Sequence, residues 1–185
     1  MLTKKQWKIV GLMAVVGFIL GWCAPVPAQA MSHGKQIRCM ADNIYWEARN
    51  QSMRGMIAVG NVTMNRVYDD RFPDTPCEVV QQGPTRPSWK DPTVFYPVKN
   101  RCQFSWYCDG KSDEIPEYDR DVYELIVAMS MKLYYNYFDD FTSGATHYHA
   151  NYVRPAWACT KEKTVQIGRH IFYRWRNVRN PDDNC

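Results

Sequence analysis

Seven prolines fall between Arg71 and Glu117, and they constrain this chain more than any other feature: Pro73, Pro76, Pro84, Pro87, Pro92, Pro97 and Pro116. A proline inside a helix removes a backbone hydrogen bond and costs about 3 kcal/mol, and sheets accept it only at edges or bulges. A long ordered loop is therefore expected here, which is unusual inside a domain unless the loop serves function. Regular structure has to lie on either side of it.

On the N-terminal side, Ile37, Met40/Ala41, Ile44 and Ala48 recur at helical spacing, which predicts a helix over Arg38 to Asn50 with Asn50 as its stop. A second pattern runs from Met53 to Val67, with Met56, Val59, Thr63 and Val67 on one stripe. Gly55 and Gly60 each weaken it by about 1 kcal/mol against alanine, a cost that makes sense if this helix packs closely against another backbone. Beyond the loop, Val122, Leu125/Ile126, Met129 and Leu133 predict a third helix over Tyr118 to Tyr137. The first two are expected to form a helical hairpin, with the third closing a core around them. The alternating stretches "GATHYHA" and "HIFYRW" read as short strands. The fold class expected is α+β, mostly helical, with a small β-sheet and a long ordered loop.

The first 30 residues read as a targeting segment. Lys4, Lys5 and Lys8 precede the uncharged run Ile9 to Trp22, and Ala28-Gln29-Ala30 follows as a small-residue cleavage site. The run is shorter than the roughly 20 residues of a membrane span, so a cleaved signal is favoured over an uncleaved N-terminal anchor. Trp22 is too bulky for a lipoprotein motif at Cys23. The formal charge of +4 comes mostly from this segment: without its three lysines, 20 basic residues face 19 acidic ones. Composition gives no case for a nucleic-acid binder, and the arginines 169, 174, 176 and 179 read as a solvated end. Nothing suggests more than a monomer.

Six cysteines remain after Cys23: Cys39, Cys77, Cys102, Cys108, Cys159 and Cys185. An even set in an exported chain favours disulfides, and the choice among about 15 pairings stays open. Cys102 and Cys108 are near enough to clip one loop, and Cys185 is placed to fasten the tail. No C-x-x-C pair points to zinc.

Several blocks in fixed order carry a family resemblance. "IYWEARN" is followed by "GMIAVGNVTMNRV", then "FPDTPCEVVQQ" and "CQFSWYCDG", and finally "GATHYHANYVRPAW" and "IGRHIFYRW". Over about residues 37–173 the chain resembles the SleB-like, spore-cortex-lytic type of cell-wall hydrolase. The resemblance implies a lysozyme-like core, a single catalytic domain over residues 31–185, and action on peptidoglycan glycan strands outside the cytoplasm. It also implies no metal or other cofactor, with the glutamate of the E-A-R element, Glu47, as the essential acid. Family members of known chemistry are lytic transglycosylases.

Glycosidic cleavage requires protonation of the leaving oxygen, which a carboxyl group performs near neutral pH only with a raised pKa. Asn43 and Ile44, one turn before Glu47, and aromatics from the loop are the expected pocket. Hydrolysis usually needs a second carboxylate. Asp42 reads as a capping or surface residue and Asp109 as an ordinary turn aspartate, which favours transglycosylation by Glu47 alone. Phe104, Ser105 and Trp106, on a loop clipped by disulfide, are candidate sugar contacts, as are Tyr148 and Trp157; for Phe104 and Trp106 a place in the core is the equal alternative. Asn65 and Arg66 read as architectural, securing the helix pair. Two alternatives stand beside this reading. His147, His149 and His170 could ligate zinc in an amidase, and the domain could bind wall without cutting it.

Overall fold

A computed structural model describes residues 28–176. In chain order they form α1 (Ala28–Ala48), α2 (Met53–Val67), α3 (Pro76–Val80), β1 (Thr85–Pro87), β2 (Phe95–Pro97), α4 (Arg120–Tyr134), β3 (His147–Ala150), β4 (Lys161–Ile167) and β5 (His170–Trp175). Short 3-10 turns occupy Ser105–Cys108, Glu117–Asp119 and Ala156–Thr160. The compact unit begins at Gly34. Among the described residues no helix is long and apolar enough to cross a membrane; the run Ile9 to Trp22 lies outside them.

Helix α2 organises the packing. Ser52 caps its first turn by accepting from the Gly55 amide, and Gly55 through Met64 are all buried. A helix buried on every side needs two partners. Met56, Val59 and Met64 join Met40, Ile44 and Tyr45 of α1 and Ile126, Met129 and Leu133 of α4. Ala58 and Val62 meet Ile167 and Phe172 of the sheet. The single stripe expected from spacing is thus replaced by a helix buried nearly all round, with Asn61, Thr63 and Arg66 among its buried residues. On α4, Val122 and Leu125 are exposed rather than inward, because the buried stripe runs through Ile126, Met129, Ser130 and Leu133.

Gly60 marks the tightest point. A Cβ there would stand 2.3 Å from Leu133 Cδ1 and 2.9 Å from Ile44 Cδ1. The close approach expected for this glycine is therefore to side chains of α4 and α1, not to another backbone.

The proline-rich segment is more ordered than a loop. Thr75 caps α3, with Pro76 in its first turn where a missing N–H costs nothing. A disulfide joins Cys39 of α1 to Cys77 of α3. Strands β1 and β2 pair antiparallel, Arg86 opposite Tyr96. A second disulfide closes Cys102–Cys108, the loop clip anticipated from spacing. Cys159 is disulfide-bonded as well; Cys185 and the tail lie outside the described residues.

The larger sheet has the order β3-β5-β4, all antiparallel. Strand β4, which alternation did not reveal, pairs with β5 across a bulge between Lys163 and Val165. Tyr148 pairs with Phe172 and lies on the face towards α2, while His147 pairs with Tyr173 on the outer face. The architecture is α+β.

Gly60→Val is expected to lower stability by about 1–3 kcal/mol through overpacking between α1 and α4. Urea unfolding of the oxidised protein, comparing midpoints at constant slope, checks this.

Candidate active site

Glu47 occupies the last turn of α1, one turn after the buried Asn43 and Ile44. Its Oε2 accepts a hydrogen bond from the Tyr148 hydroxyl at 3.1 Å. Tyr148 reaches it from β3, resting on Phe172 and His170 of β5. The sheet thus holds the phenol and the helix holds the carboxyl.

Arg66, on the last turn of α2, is only 5% exposed. Its Nε donates to the Thr146 carbonyl at 2.8 Å, and its guanidinium lies over the rings of Phe72 and Phe104. Its Nη1 is buried without an acceptor among the described residues. The positive charge acts on both Glu47 and Tyr148. Arg66 therefore does more than the architectural work expected of it. Asn65 is architectural, but it ties α2 to the loop before β3 through Asp140, Thr142 and the Ala145 carbonyl, not to α1.

Burial pushes the Glu47 carboxyl above the ordinary glutamate range, and the Tyr148 hydrogen bond and Arg66 charge pull it part of the way back. Burial also pushes the Tyr148 phenol well up, reinforced by the Glu47 charge, so it stays a donor. The desolvated Arg66 is held lower than usual yet remains a cation, as guanidinium does in proteins. This combination suits a carboxyl that releases and regains one proton.

The rest of "YWEARN" falls into place around it. Tyr45 points into the core and donates to Asp119. Arg49 covers the rings of Tyr45 and Trp46 and pairs with Asp119 at 3.6 Å. Trp46 faces Trp106, ring centroids 6.4 Å apart at 25°. The Trp106 indole N–H donates to Asn43 Oδ1 at 3.0 Å, and the Asn43 amide donates to Thr63. Asn43 thus fixes the loop aromatic to the helix that carries Glu47.

Of the residues singled out from sequence, Glu47, Trp106 and Tyr148 come together; Trp106 and Tyr148 pack on one cluster. Tyr148 donates to the Glu47 carboxyl, and its ring packs on His170 and Phe172. Phe104 belongs to the core with Val79 and Val80, 3% exposed, so packing replaces the expected sugar contact. Ser105 is exposed at the start of its 3-10 turn. Trp157 is on the other side of the sheet, against His147, His149 and Tyr173. A cleft of about 640 Å³ opens there, lined by His149, Asn151, Arg154 and Tyr173 among others, and includes neither Glu47 nor Tyr148.

His147 and His149 share that outer face, whereas His170 packs against Tyr148 on the inner one. The three histidines therefore do not converge. Burial and the nearby Arg66, Lys161 and Arg71 charges depress His147 to about 4. Asp42 is neither cap nor free surface: it accepts from the Tyr123 hydroxyl. Asp109 is a turn aspartate, accepting from the Lys111 amide.

The sequence profile of the cell wall hydrolases matches residues 50–173. The chain belongs to the cell wall hydrolase family. The match begins just past Glu47 and does not include it. A spore cortex-lytic enzyme of Oceanobacillus iheyensis is 27% identical over 136 residues, 74% of this chain but 40% of that protein. The chain thus spans less than half the length of this curated relative. The catalytic domain of the germination-specific lytic transglycosylase SleB from Bacillus anthracis superposes with a TM-score of 0.54 at 24% identity, over 75% of this chain and 93% of that one. The Bacillus cereus SleB catalytic domain gives 0.53 at 24%, over 75% and 89%. The mostly helical, lysozyme-like α+β class expected from sequence accords with these folds.

A carboxyl whose pKa is raised by folding is bound more tightly to its proton in the folded state, so stability falls as pH climbs from the unfolded glutamate value to the folded one. Glu47→Gln removes that penalty. Its melting temperature is expected to exceed the wild type's at neutral pH, with the difference closing below about pH 4; a calorimetric pH series measures it.

Proposed function

We propose that this chain cleaves the glycan strands of peptidoglycan as a lytic transglycosylase, with Glu47 as its single acid and base. The observation that carries the reading is the half-buried Glu47 carboxyl with its pKa raised, hydrogen-bonded by Tyr148 and faced by a buried arginine. The charge acting on Glu47 is that of Arg66 rather than of a second carboxylate, which favours one-carboxylate chemistry.

In this mechanism Glu47 gives its proton to the oxygen linking MurNAc to GlcNAc, and that bond breaks through an oxocarbenium-like state. The carboxylate left behind is held by the Tyr148 hydrogen bond and the Arg66 charge. It then takes the proton of the muramyl C6 hydroxyl as that oxygen bonds to C1. The ring closes to a 1,6-anhydro end and Glu47 is protonated again, so no water is consumed. Trp46 and Trp106 supply aromatic surface beside the acid for a sugar ring. The name of the Bacillus anthracis neighbour, a lytic transglycosylase, agrees with this chemistry. The disulfides Cys39–Cys77 and Cys102–Cys108 favour an oxidising compartment, where the wall polymer lies.

Digestion of purified sacculi followed by mass spectrometry tests the proposal. Wild type is expected to release fragments with anhydro-muramyl ends, and Glu47→Gln to release them at least about 100-fold more slowly. Reducing muramyl ends would mean hydrolysis, and free stem peptides an amidase; either overturns the reading.

Tyr148→Phe removes a bond that holds the Glu47 pKa down. The residual activity of that variant is expected to persist to higher pH than the wild type's, its basic limb displaced upward. A limb that stays in place would show that Glu47 does not set it.

A further inference from the structure

Pairing Thr85–Pro87 with Phe95–Pro97 produces a hairpin whose aromatics face outward. Trp89 at its tip is 88% exposed, and Phe95 and Tyr96 are exposed as well. These rings are interleaved with cations. Arg86 sits opposite Tyr96 in the register, and the Lys90 ammonium lies 5.2 Å from the Trp89 ring centroid. Arg86, Ser88, Trp89, Lys90 and Tyr96 line a concavity of about 420 Å³, with Pro87. The nearby carboxylate is already engaged, since Asp91 accepts from both the amide and the hydroxyl of Thr93.

The hairpin is held in shape by its own bonds. Ser88 N–H donates to the Val94 carbonyl, Val94 N–H to Asp91, and Lys90 N–H to the Ser88 hydroxyl. Each strand is three residues long and ends in a proline, which discourages recruitment of a partner strand. Recognition here falls to side chains. Its base is fastened to the disulfide loop that carries Trp106. Val98 N–H donates to the Pro84 carbonyl, Gln103 N–H to Gln82, and Asn100 N–H to Cys108. Gly83 lies so close to Cys102 that an added Cβ would meet its Cα at 3.0 Å. The hairpin is thus tied at its base to the loop that carries Trp106.

We propose that the hairpin Thr85–Pro97 is a second binding surface for a carboxylated glycan strand, which retains the enzyme on the wall polymer away from the acid. Sugar rings present C–H faces to Trp89 and Tyr96, and the carboxylates of lactyl-linked stem peptides complement Arg86 and Lys90. A membrane surface is the competing occupant for exposed Trp, Tyr and Lys. The alternation of cations with rings and the continuity with the Trp106 loop favour the glycan. The inference extends the reading of the Glu47 site, and its test is separate.

The full-length chain carrying Glu47→Gln is incubated with intact sacculi, which stay uncleaved, and bound protein is measured by sedimentation. Adding Trp89→Ala and Tyr96→Ala is expected to weaken retention at least about fivefold. Arg86→Glu with Lys90→Glu is expected to do the same and to flatten the dependence on salt, with Trp89→Phe retaining most binding. Melting temperatures establish that each variant is folded, and the charge-reversal pair stands in if the alanine pair is not. Undiminished binding to sacculi by both folded pairs overturns the proposal. So does a pattern in which the variants lose only binding to phosphatidylglycerol-containing vesicles, which assigns the hairpin to a membrane. Absence of cleavage products from the wild type would refute the Glu47 mechanism while leaving sacculus retention to be read.

Discussion

The hydrogen bond from Tyr148 to Glu47 joins residues 101 positions apart in the chain, and the candidate site exists only because the fold sets them at contact distance. Glu47 is delivered by the final turn of α1 and Tyr148 by β3, and α2 packs between them: its Met56 and Val59 side meets α1 and α4, and its Ala58 and Val62 side meets the sheet. The absence of a side chain at Gly60 lets that central helix close on Ile44 and Leu133.

Burial alone makes the Glu47 carboxylate costly to form. Arg66 and Tyr148 offset that cost from two sides, by charge and by hydrogen bond. Arg66 is in turn held by the Thr146 carbonyl, next to the strand that carries Tyr148. One short stretch, Thr146–Tyr148, therefore positions both groups that temper the Glu47 carboxyl. The proline-rich segment adds the third wall, since its disulfide loop lays Trp106 on Asn43 and Trp46.

Much of this was legible from residue order. The spacing of Met40, Ile44 and Ala48 predicts the second half of α1, because a helix face that is buried writes its period into the chain; the helix itself starts ten residues earlier than expected, at Ala28, and the stripe Met56, Val59 and Thr63 locates α2. The paired cysteines 102 and 108 predict a clipped loop, and it is there. Less legible were β4, whose KEKTVQI mixes charges with β-branched residues, and the central burial of α2. Phe104 and Trp106, two positions apart on one small loop, divided between core and site. Which ring turns inward depends on Val79 and Val80 arriving from α3, and neighbouring residues carry no sign of that.

The sequence by itself determined the three long helices, the strands at His147–Ala150 and His170–Trp175, the family blocks, and Glu47 as the carboxylate to watch, since periodicity and motif order are local properties of the chain. Only the tertiary structure decided what surrounds that carboxylate. It placed Tyr148 and Arg66 beside Glu47 and put Trp157 on the far face of the sheet. Alternation says that neighbouring strand residues point opposite ways, but which way is inward is settled by the helix that covers one face.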